Sequence, residues 1–245
     1  MFKRFGIICA VDDELAPFLT ELDERSVSTH AMVKYHEGLI HGLEAVCVVC
    51  GVGRVHSATA AQTLIDTYGC DAILNSGTAG ALDTRLKVLD VAVAETSVYS
   101  DLQMSFLVDF FPHMKEPLFR SDDKLLALAR SAAADVKERV FFGKIATGEF
   151  FTNDSNRGAV IARHDPLCAD METAAIAHVC YLFGVPFIAV RSMTDEANVG
   201  ADYDFMVNVV SASQNAAELS MRIIAAAKRT GDVSYIGEPP FGHLI

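Results

Sequence analysis

Residues 169–195 read A-D-M-E-T-A-A-I-A-H-V-C-Y-L-F-G-V-P-F-I-A-V-R-S-M-T-D. The first half sets Asp170, Met171, Glu172 and Thr173 ahead of an alanine-rich, amphipathic run. That order predicts a helix start: a capping side chain, then an acid where the helix dipole favours negative charge. Gly184 stops the helix and Pro186 prevents its resumption. Pro186 to Val190 is a short apolar run of strand formers, the pattern of a central strand buried on both faces. The run breaks off in Arg191-Ser192-Met193-Thr194-Asp195, so charge appears where the strand leaves the core. Ligands of open α/β sheets sit beyond the carboxyl ends of strands. Glu172, Arg191 and Asp195 are therefore expected to share one pocket.

Working outward, Phe5 to Val11 predicts a first buried strand that runs into Asp12, Asp13 and Glu14. A helix from Leu15 to about Glu24 follows, with Pro17 in its first turn. Acids at a helix start have a plain role in the dipole, and Glu14, nearest the apolar turn, is the one that also suits a pocket. Met32 to Tyr35, Gly38 to His41 and Ala45 to Cys50 read as a three-strand meander with glycine turns. Gly51-Val52-Gly53-Arg54 then opens a helix, and Asn75-Ser76-Gly77-Thr78-Ala79-Gly80 forms a second small-residue turn after the strand Asp71 to Leu74. Such turns let backbone approach a ligand. Strands are also expected over Val88 to Val98 and Val140 to Ala146. Helices are expected over Asp122 to Ala134 (capped by Ser121), Asp154 to Arg163 and Tyr203 to about Lys228. Between them, Met104, Phe106, Leu107, Phe110, Phe111 and Met114 crowd one loop, where large apolar groups line a pocket, meet a partner or fill the core.

Strands alternating with helices, with the early meander, predict an α/β fold whose sheet is mixed. At 245 residues, 51% hydrophobic and 21% charged, the chain has enough material for a large core. Residues 1–230 are expected to form one catalytic domain, and residues 231–245 a tail whose role the sequence does not assign. A net charge of −12 argues against nucleic acid, since phosphate contacts need clustered Lys and Arg. Six cysteines lie almost entirely in apolar runs, which reads as buried free thiols in a reducing, cytoplasmic compartment. Cys47 and Cys50 have redox-motif spacing, but on a strand they would point to opposite faces. The apolar N-terminal run is cut short by Asp12, so no signal peptide is expected, and no stretch is long enough to span a membrane. No Cys/His cluster suggests a metal.

Five ordered blocks now carry a resemblance: Gly6 to Glu14, Gly51 to Arg54, Asn75 to Gly80, Asp170 to Val179 and Val185 to Asp195. Over about residues 4 to 228 the chain resembles the bacterial 5′-methylthioadenosine/S-adenosylhomocysteine nucleosidases of the purine nucleoside phosphorylase superfamily. The resemblance implies a single α/β domain with a twisted mixed sheet flanked by helices, a homodimer, and hydrolysis without a cofactor. It departs from the usual pattern at Cys9, Asp12, Asp13, Thr78, Ala81 and Tyr203.

Cleaving an N-glycosidic bond to adenine requires a protonated leaving base, a stabilised ribosyl cation-like transition state and a delivered water. Asp195, at a buried strand end where desolvation favours the protonated form, is the candidate acid toward N7. Glu14 is the candidate for the water, Glu172 for the ribose hydroxyls, and Arg191 for holding carboxylates and water in register. Met171 is expected against the sugar. Taken singly, Glu172 and Arg191 would equally read as a helix-dipole acid and a structural ion pair. The resemblance further implies that Phe151 stacks on the base and backbone near Thr152 reads its edge. Thr78 and Thr194 stand at serine positions of the family, Met104 and Tyr203 line the 5′-alkylthio pocket, and Val52 and Phe106 reach toward a partner's site. For Phe151 and Met104 core packing remains an equal reading. The rival functions are a purine nucleoside phosphorylase, a futalosine-type hydrolase and a non-catalytic nucleoside binder. The phosphorylase would need a basic phosphate cradle where this chain has Asp12, Asp13 and Glu14.

Overall fold

A computed structural model describes residues 2–198 and 200–229. The tail expected over residues 231–245 lies outside the described residues. In chain order the elements are β1 (Arg4–Cys9), α1 (Asp12–Glu21), β2 (Asp23–His30), β3 (Val33–Ile40), β4 (Leu43–Val49), α2 (Arg54–Asp66), β5 (Ala72–Ala81), β6 (Val91–Tyr99), α3 (Ser105–Asp109), β7 (Phe119–Arg120), α4 (Asp123–Ala132), β8 (Val140–Thr147), α5 (Arg157–His164), β9 (Cys168–Asp170), α6 (Thr173–Phe183), β10 (Phe187–Asp195) and α7 (Ala201–Arg229).

The sheet is mixed, and part of it closes on itself. β10 pairs parallel with β5 on one edge and antiparallel with β6 on the other. β6 pairs with β8, β8 with β9, and β9 returns antiparallel to β5. From β5 the sheet continues outward through β1, β4, β3 and β2. Interior strands of the sheet are buried on both faces, which is why Ile7 to Cys9 of β1 and Phe187 to Val190 of β10 are apolar. β10 then runs on, still buried, through Arg191 to Asp195, past the end expected for it at Val190. Helices cover both faces. Ala60, Leu64, Ala174 and Ile176 of α2 and α6 close one core; Leu15, Phe18, Leu125, Ala216 and Ile223 of α1, α4 and α7 close the other. Fully buried residues such as Ile73 and Leu74 each contribute about 1.5–3 kcal/mol by leaving water. Cys50 faces the first core and Cys47 the second, so the two thiols do point to opposite sides.

Local departures from the expected boundaries have identifiable causes. The first helix stops at Glu21, and Asp23 to His30 forms β2, an edge strand whose polar, exposed sequence carries no hydrophobic signal. Gly38 is not a turn: it lies inside β3, where a Cβ would collide with the backbone of Asp23 across the bulged β2–β3 pairing. The 75–80 stretch is likewise strand, the second half of β5. Asp122, not Ser121, caps α4, its carboxylate accepting from the amides of Lys124 and Leu125. α5 starts at Arg157, after an Asn153 turn in which the side chain accepts from the amide and hydroxyl of Ser155. The apolar loop at 102–114 divides: Met104 and Met114 enter the core, while Phe106, Phe110 and Phe111 are exposed around the short helix α3. Among the described residues no helix is long and apolar enough to cross a membrane.

Candidate active site

β4, β1, β5 and β10 run parallel side by side, so their carboxyl ends open on one edge of the sheet. A cavity of about 400 Å³ lies there. Three carboxylates far apart in sequence line it: Glu14 from the first turn of α1, Glu172 at the start of α6 and Asp195 at the end of β10.

Glu14 is 3% exposed, although it stands on the first turn of a helix. Its Oε2 accepts from the amides of Ala10 (2.7 Å) and Val11 (3.3 Å), and its Oε1 accepts from the amide and hydroxyl of Thr78 (both 2.8 Å). Four donors from two chain segments leave the carboxylate one orientation, toward the cavity. The close approach depends on Gly77. A Cβ there would stand 2.7 Å from Glu14 Oε1 and closer still to Arg191 Nη1.

Arg191 is fully buried and forms the floor of the site rather than its wall. Its Nη2 lies 2.8 Å from Asp170 Oδ2, 2.7 Å from Asn75 Oδ1, 3.1 Å from Thr173 Oγ1 and 3.5 Å from Glu172 Oε2. Among the described residues Nη1 has no hydrogen-bond partner, although it is buried. It is turned toward the same space above Gly77 as Glu14 Oε1. The surrounding carboxylates hold the guanidinium above its ordinary pKa, against the desolvation that opposes its charge.

Glu172 is 4% exposed and stands at the N-cap of α6; Oε1 accepts from the amide of Gly53 at 2.9 Å. Burial pushes its carboxyl up to about 7, against the lowering influence of Arg191 and with Asp170 adding to the rise. Between the ordinary value of 4.5 and about 7 the folded protein keeps a proton that the unfolded chain has released. The ligand-free protein is therefore expected to lose stability as pH rises through that window, by about 3 kcal/mol at most. Urea unfolding from pH 4.5 to 7.5 checks this, and Glu172→Gln should flatten the slope. A slope unchanged in the variant assigns the effect elsewhere.

Asp195 is 1% exposed, with Oδ2 accepting from the Thr194 hydroxyl and Oδ1 from the amide of Ala197, both at 2.8 Å. Of the other residues singled out in the sequence, Met171, Phe151, Thr152, Thr78, Thr194 and Val52 line the cavity. Met104, Tyr203 and Phe106 do not. Met104 is seated in the core beside α3, and Phe106 is half-exposed on its outer side. Tyr203 is largely exposed: at 3.6 residues per turn it points roughly 110° from the midpoint between Phe205 and Met206, the α7 residues that line the cavity in its place. Phe205 meets the ring of Phe151 edge-on, centroids 6.2 Å apart. Sequence reasoning also passed over Asp170, seen only as a helix cap, and Asn75, seen only as a turn residue. Asp170 does cap α6 through the amide of Thr173, but it is also the carboxylate nearest Arg191. His178, mid-helix, bonds Tyr99 and lies against Phe119 in the core. Among the described residues no group of three His, Cys, Asp or Glu is arranged to hold a metal ion.

The chain as a whole is similar to known proteins. Residues 4–227 match the phosphorylase superfamily. The 5′-methylthioadenosine/S-adenosylhomocysteine nucleosidase of Halalkalibacterium halodurans is 35% identical over 225 residues, covering 90% of this chain and 97% of its own. Among solved structures, the corresponding nucleosidase of S. pneumoniae with the transition-state inhibitor MT-ImmA superposes with a TM-score of 0.85 at 29% identity, covering 91% of this chain and 99% of that one. The futalosine hydrolase of Helicobacter pylori superposes almost as well, with a TM-score of 0.84 at 27% identity, covering 91% and 98%. Sequence match and fold superposition agree: the chain belongs to the phosphorylase superfamily and, within it, to the 5′-methylthioadenosine/S-adenosylhomocysteine nucleosidase family.

Proposed function

We propose that this protein hydrolyses the N-glycosidic bond of 5′-methylthioadenosine and S-adenosylhomocysteine, releasing adenine and the 5′-thio-substituted ribose. The observation that carries the reading is the convergence of Glu14, Glu172 and Asp195 on one cavity, with the Arg191 guanidinium beneath. Asp195 gives a proton to N7 of the base, which makes adenine a competent leaving group. Glu14 takes a proton from water as that water adds to C1′. The buried, unpartnered Nη1 of Arg191 supports a water held between it and Glu14, because a buried donor without a partner is costly. Glu172 accepts from the ribose hydroxyls, and Met171 packs on the sugar. Phe151 stacks on the base while backbone near Thr152 reads its edge. Phe205 and Met206 take the wall toward the 5′ substituent.

Water rather than phosphate as the attacking group fits the lining, which among the described residues includes no lysine or arginine side chain. A dianion would meet Glu14 as well as Glu172 and Asp195, with the single buried guanidinium of Arg191 already committed to Asp170 and Glu172. In phosphate-free buffer, adenine release from methylthioadenosine should match that in phosphate. Turnover that requires phosphate, with ribose 1-phosphate as product, would reject hydrolysis. A futalosine-type substrate in the same panel separates the sister activity, which the fold alone does not distinguish.

The protein is taken to act as a homodimer in a reducing, cytoplasmic setting. Val52, Val55, Phe106, Phe110, Leu182 and Phe183, on or beside α2, α3 and α6, are exposed apolar side chains of the kind that a second copy would bury, and α2 packs on α6. In that assembly Val52 and Phe106 reach toward the partner's site. Six buried free cysteines fit the compartment.

A further inference from the structure

β10 does not leave the sheet in register. Its pairing with β5 shifts between Met193, opposite Ala79, and Asp195, opposite Gly80, so Thr194 is the extra residue of a bulge. A bulge re-aims the side chain beside it and leaves a backbone group outside the ladder. Here the re-aimed side chain is Asp195, and the carbonyl of Thr194 is taken up by a side chain from another element. Asn208 Nδ2, on α7, donates to it at 2.9 Å. The same nitrogen donates to the carbonyl of Asp204, one helical turn back, also at 2.9 Å. Both partners are carbonyl oxygens, which only accept, so the amide must present its nitrogen to them and both its hydrogens are used.

Two walls of the cavity depend on this one amide. On the strand side, the Thr194 hydroxyl donates to Asp195 Oδ2. On the helix side, the turn that Asn208 ties down carries Phe205 and Met206. We propose that Asn208 is a positioning residue: by fastening the bulge carbonyl of Thr194 to α7, it sets the direction of the Asp195 carboxyl relative to the Phe205–Met206 wall. This rests on the reading of Asp195 as the proton donor. Nothing in the local sequence marks Asn208, which stands on a long amphipathic helix where an amide would ordinarily face water.

The test compares Asn208→Leu, which keeps bulk and loses both donors, with Asn208→Asp, which keeps the shape but sets acceptors against the two carbonyls. Asn208→Gln retains the donors on a longer stem. A small misplacement of a reacting group costs up to roughly 10²-fold. Asn208→Leu and Asn208→Asp are therefore expected to lower kcat on methylthioadenosine by about 10-fold or more with KM within about 2-fold, and Asn208→Gln to recover part of the loss. Wild-type kcat in Asn208→Leu or Asn208→Asp, or equal losses in all three variants, would overturn the proposal. If the wild-type protein releases no adenine, the functional reading fails separately. The carboxyl-carbon chemical shift of Asp195 then decides: a shift changed in Asn208→Asp supports the positioning role, and an unchanged one rejects it.

Discussion

Asp195→Asn should reduce adenine release by about 10²–10⁴-fold, the range over which a positioned proton donor accelerates a reaction. The substitution keeps the shape of the side chain, and Oδ1 can still accept from the amide of Ala197. What is lost is the proton that the departing base requires. Nucleoside binding should persist, because Glu172, Met171 and the Phe151 wall are untouched. Single-turnover assays beside equilibrium binding separate the two effects. A variant as active as the wild type would remove Asp195 from the chemistry, and a variant that binds nothing would make its role structural.

The largest expected effect on stability belongs to Arg191→Met. Methionine follows the arginine stem about as far as Nε and keeps its apolar packing, while the place of the guanidinium is left unfilled. The charge balance is another matter. Asp170 and Glu172, 2.8 and 3.5 Å from the guanidinium, would be left as buried carboxylates with no counter-charge, and Asn75 and Thr173 would lose their shared donor. Removing one partner of a buried pair costs about 3–5 kcal/mol, a large share of the roughly 5–15 kcal/mol that holds a domain folded. Urea unfolding gives the figure directly. Asp170→Asn placed in the Arg191→Met background should restore part of the loss, since it removes the nearer stranded charge. If Arg191→Met is as stable as the wild type, the ion cluster is dispensable to the fold.

How much of this was legible in the sequence depended on whether the signal was local. The helix after Glu172 and the strand before Arg191 announce themselves through capping, a glycine stop and an apolar run, and both are found. The strand, however, does not leave the core at Arg191 but runs on, buried, to Asp195, because its polar side chains find partners inside the protein. β2 announces nothing, because an exposed edge strand has no face to bury and its residues are those of any loop. Gly38 and Asn75 sit at positions whose meaning lies across the sheet, against Asp23 and Arg191, at separations no window along the chain can see. The cavity divides similarly. Glu14, Glu172 and Asp195 follow from strand and helix ends, whereas Tyr203 and Phe205 differ only by their angle on α7, which the exact start of that helix sets. Asp170 was visible as a cap but not as the nearer partner of Arg191, because one residue serves both purposes.

The closure of β5, β6, β8, β9 and β10 into a ring has a further consequence. A strand bonded along both edges has no free side from which to peel, so the segment bearing Arg191 and Asp195 cannot part from the one bearing Thr78 without breaking the ring. An arriving nucleoside meets the outer side of the ring, where Phe151 and Phe205, both lining the cavity, stand edge-on to one another. The ring thus keeps the reacting groups at fixed separations, and adjustment to the nucleoside falls to the side chains at the aromatic rim.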